Sequence, residues 1–223
     1  VVTMRWGSWY AQAMPSGTLT LHYAPRTRSF TILWLLEELG VAYELDSFDI
    51  HSGRHKQADF LGLNPMGKVP VLVCDGAPIS ESGAIATYLA DRFAAAELAP
   101  ALDDPQRPAY LRWMFFAAGV IEPALAQKLL KLEAPASTVA WGSFEQMQEV
   151  LRAAVRDSQW LLGDRFSAAD VVVGAGARFG VMFGAFEQQG PIADYVARLT
   201  AREAFTRAEA IEQREGDRFP LPK

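Results

Sequence analysis

The stretch Val-Pro-Val-Leu-Val-Cys-Asp-Gly-Ala-Pro-Ile-Ser-Glu-Ser, residues 69–82, decides the fold. Two short apolar runs flank Asp75 and Gly76, a pair that is typical of the turn in a β-hairpin. Apolar residues at helical spacing follow, beginning at Ile85. The stretch therefore predicts two antiparallel strands that lead directly into a helix.

Two polar residues, Glu81 and Ser82, stand where that helix is predicted to begin. The first N–H groups of a helix have no partner within it, and the helix dipole favours an anion there. A ligand carboxylate could accept from these groups and from the Ser82 hydroxyl, while Glu81 could accept from an ammonium group. The pair suits the head of an α-amino acid; the alternative is plain capping of the helix by Ser80 or Ser82.

A strand, a helix and a second strand are predicted upstream of this stretch. Residues 18–23 alternate in hydrophobicity, residues 32–39 form an apolar helix face that ends at Gly40, and residues 43–49 give the second strand. Such a βαβ unit makes its two strands parallel. The complete order is βαβ-ββα, which is the thioredoxin-like arrangement.

The sequence changes character after residue 94. Prolines and aspartates crowd residues 95–108, which predicts a linker between a domain at 18–94 and another at 109–223. The second domain is predicted to be all helical, with helices at 109–132, 139–160, 168–183, 192–199 and 201–211 and a tail at 216–223. Residues 1–17 match no element and are interpreted as an extension, for which disorder is one explanation. The fold class is thus α/β followed by all-α.

Composition narrows the classes of function. The formal net charge is −5 without a long basic run, which argues against nucleic acid as the main partner. No apolar run is long enough to span a membrane, so we expect a cytoplasmic protein. Cys74 is the only cysteine, and His22, His51 and His55 form no zinc-like pattern, so we expect neither a disulfide nor a metal site.

The turn at residues 25–29 lies where ligands bind in open α/β sheets, between the first strand and the first helix. Thr27 and Ser29 offer hydroxyls and Arg28 a cation. A hydroxyl at a helix N-terminus can stabilise a thiolate; the alternative is that Thr27 only caps the helix. A cis bond at Val69-Pro70 would leave the Val69 backbone free to pair with an extended peptide, whereas a trans bond would mark a strand start.

These residues together resemble the cytosolic glutathione transferases of bacterial type, over nearly all of residues 18–223. The motifs that carry the resemblance are the run from Arg28 to Gly40; Phe60, Asn64-Pro65 and Gly67-Lys68-Val69-Pro70; Ile79-Ser80-Glu81-Ser82 with Tyr88-Leu89; and Gly163-Asp164-Arg165-Phe166-Ser167-Ala168-Ala169-Asp170. No single motif is decisive, but their order and separation are highly specific.

The resemblance implies that glutathione is the co-substrate and lies along the first domain, with Val69 beside its cysteinyl backbone. It places Glu81 and Ser82 at the γ-glutamyl head, and His55 and Lys68 at the glycyl carboxylate. The thiol activator is Thr27 or Ser29 with Arg28 beside them; many bacterial members carry Ser where this chain has Thr27. Position 28 is Arg where other classes use Cys, which disfavours glutaredoxin-like chemistry.

The second substrate is expected between the domains, in a pocket lined by aromatic and methionine side chains that suit apolar electrophiles. The candidates are Tyr110, Trp113, Met114, Phe116 and Phe179, with packing in the helical core as the alternative for most of them. The expected activity is conjugation of glutathione to such compounds, with reduction of organic hydroperoxides as a variant. The alternatives are a glutathione-binding regulatory module and a narrow dehalogenase or ether-cleaving enzyme. The resemblance also implies a homodimer.

The second-domain motif at residues 167–170 has a structural interpretation. Ser167 and Asp170 have the form of a capping box, which satisfies the first N–H groups of a helix. The helix that follows is apolar nearly all round, so it is predicted to be buried, where an unpaired N–H group is costly.

Overall fold

The computed structural model describes residues 17–221. The predicted extension at residues 1–17 lies outside the described residues apart from Gly17. A sheet in the order β2-β1-β3-β4 forms the first half of the chain. Its strands are β1 at Leu19–Tyr23, β2 at Glu44–Ser47, β3 at Val71–Cys74 and β4 at Ala77–Ser80. The β1–β2 pair is parallel and the other two pairs are antiparallel, which confirms the predicted βαβ unit and hairpin.

Three helices accompany the sheet: α1 at Ser29–Leu39, α2 at Ala58–Leu63 and α3 at Ser82–Arg92. Short 3₁₀ turns at Ile50–Ser52 and Arg54–Lys56 precede α2, and a third follows α3 at Ala94–Ala96. Helix α1 is buried on nearly every side and ends at Gly40, whose φ of 64° gives the predicted left-handed cap. The thioredoxin-like architecture of the first half is therefore confirmed.

The rest of the described chain is helical. Its helices are α4 at Arg107–Phe116, α5 at Glu122–Leu130, α6 at Phe144–Arg156, α7 at Ala168–Met182, α8 at Pro191–Thr200 and α9 at Glu203–Arg218. A wider π turn at Ala117–Ile121 joins α4 to α5 inside the predicted long helix. Pro123 has no N–H group to donate four residues back, which accounts for the wider turn beside it.

Two predicted boundaries in this half are wrong. Helix α6 begins only at Phe144, because Ser143 and Gln146 form a capping box and Gly142 before them has a φ of 70°. The predicted tail instead contains the last turn of α9, through Arg218. That turn has no apolar stripe to reveal it, and its Gly216 carbonyl accepts from the Arg26 guanidinium of the first half.

The start of α7 has the predicted capping box. The Asp170 carboxylate is fully buried and accepts from the backbone N–H groups of Ser167 and Leu161, at 3.0 and 2.9 Å, and from the Tyr195 hydroxyl at 3.0 Å. Burial raises the pKa of the Asp170 carboxyl to about 6, against the opposing effect of these hydrogen bonds. This carboxylate joins the helix start to α8 and the preceding loop.

The two halves pack through α1. Phe205 of α9 meets the buried Trp34 ring edge to face, with ring centres 5.2 Å apart. The Glu38 carboxylate accepts two bonds of 2.7 Å from Arg202 and one of 2.9 Å from the Trp34 indole. One large apolar cluster therefore runs from the sheet into the helical half. A second, smaller cluster contains Ala24 of the turn after β1, together with Phe48, Phe60 and Val71.

Among the helices of residues 17–221, none combines the length with the hydropathy that a membrane-spanning segment requires. Nor do His, Cys, Asp and Glu side chains in that part of the chain gather in a group that could hold a metal ion.

Candidate functional site

The turn after β1 holds its two hydroxyls in different environments. Ser29 is fully buried, and its hydroxyl donates to the Ala24 carbonyl at 2.8 Å and accepts from the Ala24 N–H at 3.1 Å. Thr27 is partly exposed, and its Oγ1 lies 2.7 Å from the same carbonyl and 2.6 Å from Ser29 Oγ. Ser29 can satisfy the carbonyl alone, so the Thr27 proton can turn toward a ligand.

Arg28 extends from this turn across to the helical half. Its Nε and Nη2 atoms lie 2.7 and 2.6 Å from Oε2 of Glu122, and its guanidinium carbon lies 5.3 Å from the centre of the Phe179 ring. Sequence reasoning missed Glu122, because the two partners are 94 residues apart and neither belongs to a local motif. The pair places a cation and an anion together between the domains.

The start of α3 presents unpaired N–H groups, as predicted. The first bond of the helix runs from the Ile85 N–H to the Glu81 carbonyl at 2.9 Å. Within residues 17–221, the N–H groups of Ser82, Gly83 and Ala84 have no backbone partner, and neither Ser80 nor Ser82 caps the helix with its side chain. Plain capping therefore does not explain these serines, and the helix start can receive an anion.

Glu81 occupies a strained position at this helix start. Its φ of 70° lies in the left-handed region that residues with a side chain rarely adopt. Strain of this kind persists where the surroundings fix the backbone, and it occurs often at ligand sites. The Glu81 carboxylate is exposed beside Ser82, where an ammonium group could reach it.

A loop at residues 64–70 carries Val69 and leads into β3. The Val69–Pro70 bond is cis, and neither the N–H nor the C=O of Val69 has a hydrogen-bond partner within the described chain. Asn64, which is buried, donates from its side chain to the Lys68 carbonyl at 2.9 Å and accepts from the Met66 N–H at 3.1 Å. Sequence reasoning assigned Asn64 to a motif without recognising that its side chain holds the loop.

Gly67 lets this loop pack closely on the 3₁₀ turn before α2. Its φ is 56°, and an added Cβ would lie 2.7 Å from the His55 carbonyl oxygen. The Lys56 ammonium joins the two segments by donating to the carbonyls of Met66 and Gly67, at 3.2 and 2.9 Å. A side chain at position 67 would separate His55 from the Val69 loop.

Positive charge gathers around His55. Burial lowers the pKa of the His55 imidazole, and the charges of Lys56 and Lys68 lower it further. Its Nδ1 is buried without a hydrogen-bond partner in the described chain. Since Lys56 is engaged by the loop, His55 and Lys68 are the groups that could hold a ligand carboxylate.

An ion pair fixes the segment that carries His55. The Arg54 guanidinium makes two bonds to the Asp46 carboxylate at the end of β2, at 2.7 and 2.5 Å, and lies over the Phe48 ring. Burial alone would raise the pKa of the Asp46 carboxyl. The hydrogen bonds and charge of Arg54, together with the charge of His22, have a larger opposite effect, so the pKa of Asp46 is lowered overall. This support was not predicted from the sequence.

The turn after β1, the start of α3 and the helical half enclose a cavity of about 840 Å³. Its lining includes Arg28, Glu81, Ser82, Met114 and Glu122. Of the five residues predicted for the second-substrate pocket, Met114 lines the cavity. Phe179 does not line it, but its ring lies against the guanidinium of Arg28, which does. The other three do not line it either.

Those three residues belong to the helix packing. Tyr110 and Trp113 are 0% and 5% exposed and lie in the core, and Phe116 packs partly buried against the Trp113 ring, 5.2 Å between centres. Sequence reasoning could not separate the two faces of α4, because apolar residues occupy both. The exposed Phe115 lines the cavity instead.

Comparison with known proteins gives three kinds of match. A model of the glutathione S-transferase N-terminal domain matches residues 17–91. An Escherichia coli K12 protein named disulfide-bond oxidoreductase YfcG is 30% identical over 166 residues, which make up 69% of this chain and 76% of the relative.

Solved structures match the fold over most of the chain. BphK, a bacterial GST solved as a ternary complex, is 27% identical with a TM-score of 0.73, over 87% of this chain and 99% of BphK. A sphingomonad glutathione S-transferase complexed with glutathione is 25% identical with a TM-score of 0.71, over 87% of this chain and 98% of that one. These matches extend beyond the first domain into the helical half.

Proposed function

Because this chain belongs to the glutathione S-transferase family, we propose that it is a glutathione transferase, which joins the thiolate of bound glutathione to small apolar electrophiles. The observation that carries the proposal is the shared cavity. The helix start at Glu81 and Ser82 opens into the same 840 Å³ space as Arg28 of the turn after β1. A site for the amino-acid head of the tripeptide thus adjoins a turn that can act on its sulfur.

In this proposal glutathione lies across the first domain in an extended conformation. Its γ-glutamyl carboxylate accepts from Ser82 and the N–H groups at the start of α3, and Glu81 accepts from its ammonium group. The unpaired N–H and C=O of Val69 pair with the cysteinyl backbone. The glycyl carboxylate lies against His55 and Lys68. The relative solved with bound glutathione supports this choice of ligand.

The turn after β1 activates the thiol in this scheme. The Thr27 hydroxyl donates to the sulfur while Ser29 keeps the Ala24 carbonyl satisfied, and the Arg28 cation favours the charged form. Both effects lower the pKa of the bound thiol and raise the fraction of thiolate near pH 7.

The thiolate then attacks an electrophilic carbon held in the cavity, forming a thioether as the leaving group departs with the bonding electrons. With an organic hydroperoxide, the same thiolate would attack the terminal oxygen and break the O–O bond, which gives the sulfenic acid of glutathione and, after protonation, an alcohol. A second glutathione would then condense with the sulfenic acid to give the disulfide and water. Met114, Phe115 and Leu111 supply apolar surface for either substrate. Detoxification of such compounds in the cytoplasm is the role this chemistry would serve.

A steady-state assay with glutathione and a chlorodinitrobenzene tests the proposal. We expect saturable turnover in glutathione, and we expect Glu81→Gln and Ser82→Ala each to raise KM for glutathione by roughly tenfold, the effect of about 1.4 kcal/mol of lost binding. Saturable binding of glutathione without turnover of any electrophile or hydroperoxide would instead favour a regulatory glutathione-binding module.

A second candidate is glutathione-dependent reduction of disulfides, because the 30% identical relative is named a disulfide-bond oxidoreductase. Bound glutathione thiolate would attack a substrate disulfide, forming a mixed disulfide and releasing a thiolate, and a second glutathione would complete the reduction. Cys74 is 2% exposed within β3, so the attacking sulfur would be that of glutathione. An assay with glutathione and a small organic disulfide separates this candidate from conjugation.

We further propose that the protein is a homodimer. Tyr88 of α3 and Phe115 of α4 expose 37% and 75% of their surface at the outer end of the cavity, which a partner subunit would cover. Sedimentation velocity tests this, with a dimer of the 24.5 kDa chain as the expected species.

A further inference from the structure

Glu212 of α9 contacts two groups at the end of β1. Its Oε1 accepts from the Arg26 N–H at 2.7 Å, and its Oε2 accepts from the Tyr23 hydroxyl. Tyr23 is fully buried and is 189 residues away in sequence. The carboxylate thus connects the last helix to the end of β1, through Tyr23, and to the proposed thiol-activating turn, through Arg26.

The turn needs such support because its backbone is strained. Arg26 has a φ of 62°, in the left-handed region that a residue with a long side chain rarely adopts. Its guanidinium also reaches α9, where it donates to the carbonyls of Gly216 and Phe219. Both the main chain and the side chain of Arg26 are therefore held by the last helix.

Gly216 makes this contact possible. A Cβ at that position would lie 2.7 Å from Nη1 of Arg26. Burial raises the pKa of the Glu212 carboxyl, although the Arg26 N–H opposes the shift. Burying part of this carboxylate costs free energy, and the two hydrogen bonds from Tyr23 and the Arg26 N–H, its only donors within residues 17–221, offset that cost.

We propose that Glu212 is a positioning residue for thiol activation, which holds the turn at residues 24–28 in its active geometry through Arg26 and Tyr23. The inference rests on the proposed function. Because Thr27 follows Arg26 directly, rotation of the Arg26 peptide would move the Thr27 hydroxyl relative to the sulfur. Within residues 17–221, Glu212 bonds to the turn and to Tyr23 and makes no hydrogen bond or ion pair with Glu81 or Ser82, so binding should be less sensitive than turnover.

The test compares Glu212→Ala with Glu209→Ala, a carboxylate one turn earlier on α9 whose ion pair is with Arg178 at 3.5 Å. For Glu212→Ala we expect kcat to fall on the order of tenfold to a hundredfold, since small misplacements of a reacting group have effects of that size. The pKa of the bound glutathione thiol should rise by about one unit, and KM for glutathione should change little. Glu209→Ala should match the wild type.

Rescue and coupling separate positioning from general loss of stability. Glu212→Gln can still accept from the Arg26 N–H and can donate to the Tyr23 oxygen, so we expect it to recover most of kcat. Tyr23→Phe should lower kcat less than Glu212→Ala does, because it leaves the bond to the Arg26 N–H in place. The double variant should be no worse than Glu212→Ala alone, because Glu212→Ala has already removed the contact with Tyr23.

Two outcomes would overturn the inference. One is a fall in kcat that follows only the folded fraction measured by thermal unfolding. The other is an unchanged thiol pKa in folded Glu212→Ala and Tyr23→Phe proteins that are less stable than the wild type. Neither outcome affects the proposed function, which fails separately if the wild-type protein shows no turnover.

Discussion

The hydroxyls of Thr27 and Ser29 are only 2.6 Å apart, yet they serve different purposes in our account. Ser29 is buried and bonded to Ala24, so it maintains the turn, while Thr27 is only half-buried, and we therefore assign it to the ligand. This difference between neighbouring hydroxyls decides which one we assign to the sulfur.

Thr27→Ala should lower kcat by roughly a hundredfold, the usual cost of one donor to a developing or stabilised anion. Thr27→Ser keeps the hydroxyl and should retain most activity. Ser29→Ala should mainly lower the free energy of unfolding, by about 1–2 kcal/mol, because it removes a buried hydrogen bond. Kinetics and denaturant unfolding on the three variants check these expectations; full activity in both alanine variants would refute our assignment of the turn.

His55 gives a second test at this scale. Burial and the charges of Lys56 and Lys68 lower its pKa, which favours the neutral imidazole in the free protein. A glycyl carboxylate beside it would favour the protonated form, and glutathione should therefore raise its pKa. An NMR titration of the imidazole with and without glutathione measures this, and an identical midpoint in both would place the carboxylate elsewhere.

At the scale of the elements, the buried start of α7 depends on Asp170. Removing its carboxylate leaves the N–H groups of Leu161 and Ser167 and the Tyr195 hydroxyl without their acceptor. Asp170→Ala should cost roughly 3 kcal/mol of unfolding free energy and leave glutathione affinity nearly unchanged. Denaturant unfolding and calorimetric titration of glutathione check it; a stable variant that had lost binding would contradict the structural role.

The same carboxyl predicts a pH dependence. Its pKa is raised from an unfolded value of 3.8 to about 6, so the folded state keeps the proton longer than the unfolded state does. The resulting stability is present below the unfolded pKa and is lost as the pH rises through 6. The stability difference between the wild type and Asp170→Ala should therefore shrink as the pH rises from about 4 to about 6, measured by unfolding at several pH values.

Short-range sequence signals made many of the strands, turns and helix ends predictable. The Asp-Gly hairpin, the glycine cap at the end of α1 and the capping box of α7 each depend on residues within a few positions of one another. The last turn of α9 was missed because it has no apolar stripe. The faces of α4 were not distinguished because both are apolar, and only the packing shows that Tyr110 points into the core while Phe115 does not.

At the scale of the whole molecule, long-range polar contacts hold the two halves together at the site. Arg28 with Glu122, Glu38 with Arg202, and Tyr23 with Glu212 each join the first half to the helical half. None of these pairs could be predicted from the sequence, because charged residues in helices usually face solvent and nothing local identifies their partners.

Glu38→Ala tests the connection between the halves. Glu38 is 4% exposed at its side chain, and its loss leaves Arg202 and the Trp34 indole unpaired in the interface. We expect a loss of about 2–3 kcal/mol in unfolding free energy. Glu149→Ala, which removes the exposed ion pairs of Glu149 with Arg152 and Arg156 within α6, should cost less than about 1 kcal/mol. Equal costs for the two variants would show that the interface does not depend on this contact.

The central claim is that this chain binds glutathione and lowers the pKa of its thiol. The most direct test is a spectrophotometric titration of the thiolate of glutathione bound to the wild-type protein, with Thr27→Ala for comparison. We predict a thiol pKa at least about one unit below the value near 8.5 of an ordinary cysteine thiol, moving back toward it in Thr27→Ala. A bound thiol that titrates at its solution value, in a protein that turns over no electrophile, would contradict the account.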